Sequence, residues 1–141
     1  MKKNWNTKSL MGLIIYCVFG LIYLVYTNIP KTFYIDDLET LWNEFNEHPK
    51  FSNFKYKKST IFFTGVVNYI ETSENACCVI FYFGKRNDFK EKYQNNVAVI
   101  MNTENLTFKE NDKIKLKALY KSSNSTSNHT NIYLKNGEVI E

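Results

Sequence analysis

Histidine, cysteine, glycine and proline are all scarce in this chain. Its 141 residues include two histidines, three cysteines, five glycines and two prolines. Each shortage excludes something. Cys17 lies in an apolar run, and Cys77 and Cys78 are adjacent, so the spaced pairs of a structural zinc site are missing. Neighbours in a strand point to opposite faces, so a disulfide between Cys77 and Cys78 would need a distorted peptide unit. There is no glycine-rich phosphate loop, no HExxH and no Ser/His/Asp arrangement around His48 or His129. The paired carboxylates Asp36 and Asp37 read as helix-cap residues rather than as a general acid and base. These gaps lead to the expectation of a non-enzyme with no cofactor and no metal.

A cationic surface is missing as well. The net charge is +4, but Lys2, Lys3 and Lys8 supply three of those charges ahead of the apolar run. The remaining 15 basic residues in 31–141 face 14 acidic ones, a net of +1. That balance argues against phosphate-driven capture of nucleic acid. Charge is uneven within it: Asp36, Asp37, Glu39, Glu44 and Glu47 make 35–48 acidic, whereas 50–141 has 14 basic and 9 acidic residues. A mildly basic surface can meet an anionic partner or a lipid surface; an ordinary solvated surface is the plainer reading.

What is present in quantity is apolar and aromatic. No charged residue occurs from Ser9 to Pro30, and Leu10–Ile29 is dominated by Leu, Ile, Val, Phe and Tyr. Twenty such residues span about 30 Å of hydrocarbon as a helix. A cleaved signal peptide is the rival, with Val18-Phe19-Gly20 as its best small-x-small match. Cleavage there would leave Leu21–Tyr26 as an apolar new terminus, and Tyr16 before Cys17 spoils a lipoprotein site. The expected organisation is a basic flank over 1–9, a transmembrane anchor over 10–30 and a domain over 31–141. By the positive-inside rule the N-terminus stays in the cytoplasm and the domain is extracytoplasmic. Trp5 and Tyr26 suit the two interfaces.

Lys31–Tyr34 reads as a connector. Leu38, Leu41, Trp42 and Phe45 recur at helical spacing, predicting an amphipathic helix over 35–48, capped by Asp36 with Glu39 and ended by Pro49. Lys50–Lys58 reads as a polar link dotted with aromatics. From Ser59 the pattern turns to strands: Thr60–Ile70, long and bent at Gly65; Ala76–Phe83; Val97–Met101; Lys113–Tyr120; and Ile132–Leu134. Gly84–Asn95 reads as a loop or short helical turn, and Ser122–Asn128 as a Ser/Asn loop.

One helix followed by five strands, the first long and glycine-bent, predicts a mainly β domain: a five-stranded OB-like barrel over 59–140. At this point the chain resembles the tRNA-anticodon-binding-like OB domains of short exported bacterial proteins. The likeness rests on Leu38-x-x-Leu41-Trp42-x-x-Phe45, Tyr56-Lys57-Lys58, Thr64-Gly65-Val66-Val67, Asn111-Asp112-Lys113-Ile114-Lys115-Leu116 and Ile132-Tyr133-Leu134-Lys135-Asn136-Gly137. It covers about 35–140. The family has Gly-Asp where this chain has Asn111-Asp112, a turn that Asn also tolerates. The resemblance implies a fold and leaves tRNA binding unestablished.

OB barrels bind on their second and third strands and adjacent loops. That makes Tyr69, Tyr82, Lys85, Arg86 and Tyr93 the candidate ligand contacts, since aromatics stack and cations steer. Core filling is the competing role, with 21 Phe and Tyr in the chain. His129-x-x-x-Tyr133 also matches the loose pattern of the haem chaperones of cytochrome c maturation, a pattern that chance produces readily. The expected function is a membrane-anchored, extracytoplasmic binding module with a protein or small-molecule partner. The alternatives are an assembly subunit acting through its transmembrane helix and single-stranded nucleic-acid binding at the cell surface.

Overall fold

The structure, a computed structural model, describes residues 7–83, 95–126 and 129–140. Helix α1 spans Thr7–Asn28. Its segment Ser9–Asn28 has a mean hydropathy of 2.2 and is long and apolar enough to cross a membrane, and among the described residues none of it is buried. The chain leaves it through Ile29 and Pro30 and enters β1, Lys31–Ile35. This stretch, expected to be a connector, is a strand paired in parallel with the start of β2. Five residues were too few for the alternation Lys31-Thr32-Phe33-Tyr34-Ile35 to announce itself, and it is the β2 edge that gives it hydrogen-bond partners.

Helix α2, Leu38–Glu47, buries Leu38, Leu41 and Phe45. Each such side chain contributes about 2 kcal/mol of burial. Its cap is Asp37, not Asp36: the Asp37 carboxylate accepts from the Glu39 amide at 3.1 Å. Pro49 ends α2 as expected, but it also opens α3, Pro49–Tyr56, which the sequence reading took for a link. Proline suits the first helical position because no intrahelical acceptor exists there for its missing N–H. Ser52 and Tyr56 face inward from α3, and the Ser52 hydroxyl donates to the Glu44 carbonyl across the bend.

The strands are β2 Ser59–Val66, β3 Tyr69–Thr72, β4 Ala76–Tyr82, β5 Asn95–Asn102, β6 Lys113–Ser125 and β7 Thr130–Val139. With β1 they form one sheet in the order β1-β2-β6-β7-β5-β4-β3. All neighbouring pairs are antiparallel except β1/β2 and β5/β7. A closed barrel of five strands was expected; the sheet has seven strands and its ladder stays open. One reason is β1. The other is that the long first strand divides at Val67-Asn68. The Val67 amide donates to Asp112, on the β6 side, while the Asn68 amide donates to Ile80 in β4. The two halves therefore pair with opposite ends of the sheet.

Gly65, expected to mark the bend, sits two residues before it, in register with Ile114. It serves a different need. A Cβ there would lie 2.8 Å from the Phe81 ring and 3.3 Å from Leu38. The core lies on the face of the sheet against which α2 and α3 pack. Ile61 and Phe63, Val79 and Phe81, Val97 and Val99, Leu116 and Leu134 all contribute, each at most 2 % exposed. Ser122–Ser125, read as loop, extends β6, because β7 runs back to Thr130 and supplies partners for it.

Candidate ligand-binding face

Strand alternation assigns Cys77, Val79 and Phe81 to the core, so Cys78, Ile80 and Tyr82 point away from it. Ladder register then lines up three rows across the outer surface. Tyr69 of β3 stands opposite Ile80, Ile80 opposite Ala98, and Ala98 opposite Tyr133 of β7. One row along, Glu71, Cys78, Ile100 and Lys135 are in register. On the other side, Tyr82, Asn96, Asn131 and Asn124 follow one another. Same-face partners in such ladders have Cβ atoms about 5 Å apart.

This outer face differs in chemistry from the core behind it. Ile80 and Ala98 are only 4 % and 7 % exposed, yet neither belongs to the core cluster. They are flanked in register by the half-buried Tyr69 and Tyr133. Ile100, 39 % exposed, carries the apolar strip toward solvent. Asn96 and Asn131 are buried, side by side, where the ladder presents them outward. With tyrosines at the ends of one row, asparagines along a flanking row, and Glu71 and Lys135 at opposite ends of the other, this face suits planar or apolar groups that also offer hydrogen bonds.

Of the expected contacts, Tyr69 and Tyr82 stand on this face, on adjacent strands. The Tyr82 amide donates to the Asn68 side-chain oxygen at 2.8 Å, which stitches the chain at the β2/β3 break to β4. Lys85, Arg86 and Tyr93 lie outside the described residues. Tyr133, Ile100, Asn96 and Asn131, which share this face, were not among the expected contacts. Alternation within β7 would have separated Tyr133 from Ile132 and Leu134; the parallel pairing of β5 with β7, which brings Tyr133 beside Ala98, has no local signal.

Elsewhere the chemistry is spare. A cleft of about 290 Å³ beside the start of α2 is lined by Asp37, Glu39, Asn68, Phe81 and Tyr82 among others. The Asp37 carboxylate there is engaged as the helix cap. His48 joins α2 to α3, and the His129 ring nitrogen lies 3.0 Å from the Thr126 hydroxyl. Among the described residues no cluster of three His, Cys, Asp or Glu side chains could hold a metal ion. Cys77 is buried and Cys78 half-buried, both unbridged, and burial raises both thiol pKa values.

No family model matches this chain, and no curated protein matches it. Its fold is similar to a crystal structure described as a "putative nucleic acid-binding lipoprotein" from Klebsiella pneumoniae, with a TM-score of 0.55 at 11 % identity over 78 % of this chain and 91 % of that one. A replication protein A heterotrimer bound to single-stranded DNA aligns at a TM-score of 0.33 and 13 % identity, over 58 % of this chain and 57 % of that one; so weak an overlap carries no argument. The domain after α1 is thus OB-like in fold. The likeness to tRNA-anticodon-binding-like domains extends no further than that.

Proposed function

We propose that this chain is a membrane-tethered OB-type binding module, not an enzyme, and that the outer face of β3–β4–β5–β7 holds its partner. In this reading β2 and β3 are two halves of one bent strand. Merging them, and setting β1 aside as an edge addition, leaves five strands in the OB order, with the parallel β5/β7 pair that an OB barrel has between its third and fifth strands. Helix α1 is the uncleaved anchor and the domain is extracytoplasmic, as the basic flank argues. The observation that carries the proposal is the exposed Ile100 beside the Tyr69–Ile80–Ala98–Tyr133 row, whose ends are half-exposed tyrosines and whose middle is nearly covered: apolar and aromatic side chains outside the core cluster, on and beside the strands that OB modules use for ligands. The near-neutral charge of the domain favours a protein or small-molecule partner.

The test is a photo-reactive residue in place of Ile100, with Lys115 on β6 as the control position, in the full chain in its native membrane. Adducts at position 100 that disappear on Tyr133→Ala support the face. Equal labelling at both positions, or none at 100, retires it.

A second reading, single-stranded nucleic acid, is favoured by the three tyrosines on one face, since bases stack on aromatic side chains. The similar lipoprotein from Klebsiella pneumoniae points the same way by its description alone. Anisotropy of a labelled oligothymidine against the full chain decides it. Binding at low salt that weakens about tenfold on Tyr69→Ala would elevate this reading; no binding at low salt ends it.

A further inference from the structure

The anchor and the domain meet at one place, and the meeting constrains where α3 lies. Tyr23 and Tyr26 of α1 both stack on Phe54 of α3, with ring centroids 5.8 and 6.0 Å apart. Tyr23 precedes the end of α1 at Asn28 by five residues, or about 7 Å of helix rise. Phe54 therefore sits at the level of the last turn and a half of the membrane-spanning helix. If α1 crosses a bilayer, α3 occupies the headgroup layer beside it.

The composition of α3 suits that layer. Phe51 is one turn before Phe54 on the same face and is 65 % exposed. Residues 49–58 contain four lysines and no acidic residue. Lys55 is engaged by Glu44 at 2.8 Å. Lys50, Lys57 and Lys58 are exposed, and Lys58 reaches back to the Asn28 side chain of α1 at 2.7 Å. Lys31, the first charge after the span, lies 3.6 Å from the Tyr26 ring centroid. Aromatic rings among lysines are the composition of an interfacial helix on an anionic surface.

We infer that α3 and the start of β1 form a lipid-docking platform, on which Lys31, Lys50, Lys57 and Lys58 contact the phosphate groups of anionic lipids while Phe51 enters the acyl boundary. The inference rests on the anchor reading above. It fixes the domain against the membrane instead of leaving it on a free tether. The outer face of β3–β4–β5–β7 would then be presented in a set orientation to a partner.

The test reconstitutes the full chain in vesicles of zwitterionic lipid alone or mixed with phosphatidylglycerol. Cys17, Cys77 and Cys78 are replaced by alanine, and a fluorophore is placed at Phe51→Cys, at Tyr16→Cys within the span, or at Glu110→Cys in the turn before β6. Headgroup-spin-labelled lipid should quench position 51 but not position 110. Quenching at 51 should be roughly twofold stronger in the anionic vesicles and lose that gain with K50Q/K57Q/K58Q. Equal quenching in both lipids, or none at 51 while Tyr16→Cys is quenched by acyl-chain labels, overturns the platform and leaves the anchor standing. No quenching at position 16 overturns the anchor itself. Hydrogen exchange on the unaltered chain guards against misfolding of these variants: amides of 49–58 should exchange more slowly in anionic nanodiscs, and unchanged rates there count against the platform.

Discussion

The indole nitrogen of Trp42 donates to the Thr130 carbonyl at 3.0 Å, tying the middle of α2 to the first residue of β7. The same ring stacks on Phe83, 5.5 Å away, just beyond β4. One side chain thus joins the helix to two strands far apart in sequence. Trp42→Phe keeps most of the stacking surface but removes the donor, and should lower stability by about 1 kcal/mol. Trp42→Ala also forfeits the packing and should cost about 3 kcal/mol. Urea unfolding followed by circular dichroism measures both; a Trp42→Phe chain as stable as the unaltered one would mean that the hydrogen bond contributes nothing, and equal losses in the two variants would mean that the stacking contributes nothing.

Gly65 and Phe81 share one space. Gly65→Ala places a methyl 2.8 Å from two ring carbons and should cost about 2 kcal/mol. Phe81→Leu opens a gap and is destabilising alone. Combined, the two changes should cost less than their sum, and strict additivity in the double-mutant cycle would refute the contact.

Asn111 holds a backbone φ of 71° in the turn before β6, and its amide donates to Val67 at 2.7 Å. Glycine should be accepted there with little change. Asn111→Ala should cost about 1 kcal/mol, because alanine pays the left-handed penalty without asparagine's tolerance for it. Thermal unfolding of the two variants side by side is enough, and alanine matching glycine would dispose of the argument.

Stability should decline in alkali. Burial alone would lower the Lys55 pKa, but hydrogen bonds to Glu44 and Tyr56 outweigh it and the net shift is upward. Tyr56 and Tyr120 are raised chiefly by burial. For all three the folded pKa exceeds the unfolded value. Their contribution is therefore whole below pH 10.0 for the tyrosines and 10.5 for the lysine, and is lost as pH rises through the folded values. Melting temperatures should fall above about pH 10, and less steeply in Tyr120→Phe, which has no proton to lose. An identical slope in that variant would exclude Tyr120 as a contributor.

Much of the fold was legible locally. The charge-free run from Ser9 to Pro30 announced α1, and the spacing of Leu38, Leu41, Trp42 and Phe45 announced α2. Alternation in Lys113–Tyr120 announced β6, and the glycine-like turn at Asn111 was anticipated from its residue type. Short pieces were less legible. Neither β1 nor α3 has enough residues for a period to rise above noise, and each is held by a neighbour: β1 by the edge of β2, α3 by the bend at Pro49 and by Phe54 against α1.

The candidate face was half legible. Tyr69 and Tyr82, which stand on it, were named by assuming an OB-like fold and choosing aromatics on its second strand and the end of its first. Tyr133, Asn131 and Ile100 were not, because nothing in β5 or β7 says which strand will lie beside it.

By itself the sequence determined which residues avoid water and at what period, and so where the apolar helix lies, which strands alternate and which face of each is buried; those are properties of neighbours along the chain. Only the tertiary structure decided register and sheet order: the parallel meeting of β5 with β7, the division of the first strand at Val67-Asn68, and the docking of Phe54 on Tyr23 and Tyr26. These depend on hydrogen-bond and packing partners tens of residues away, whose pairing is chosen by the whole fold's burial rather than by any local preference.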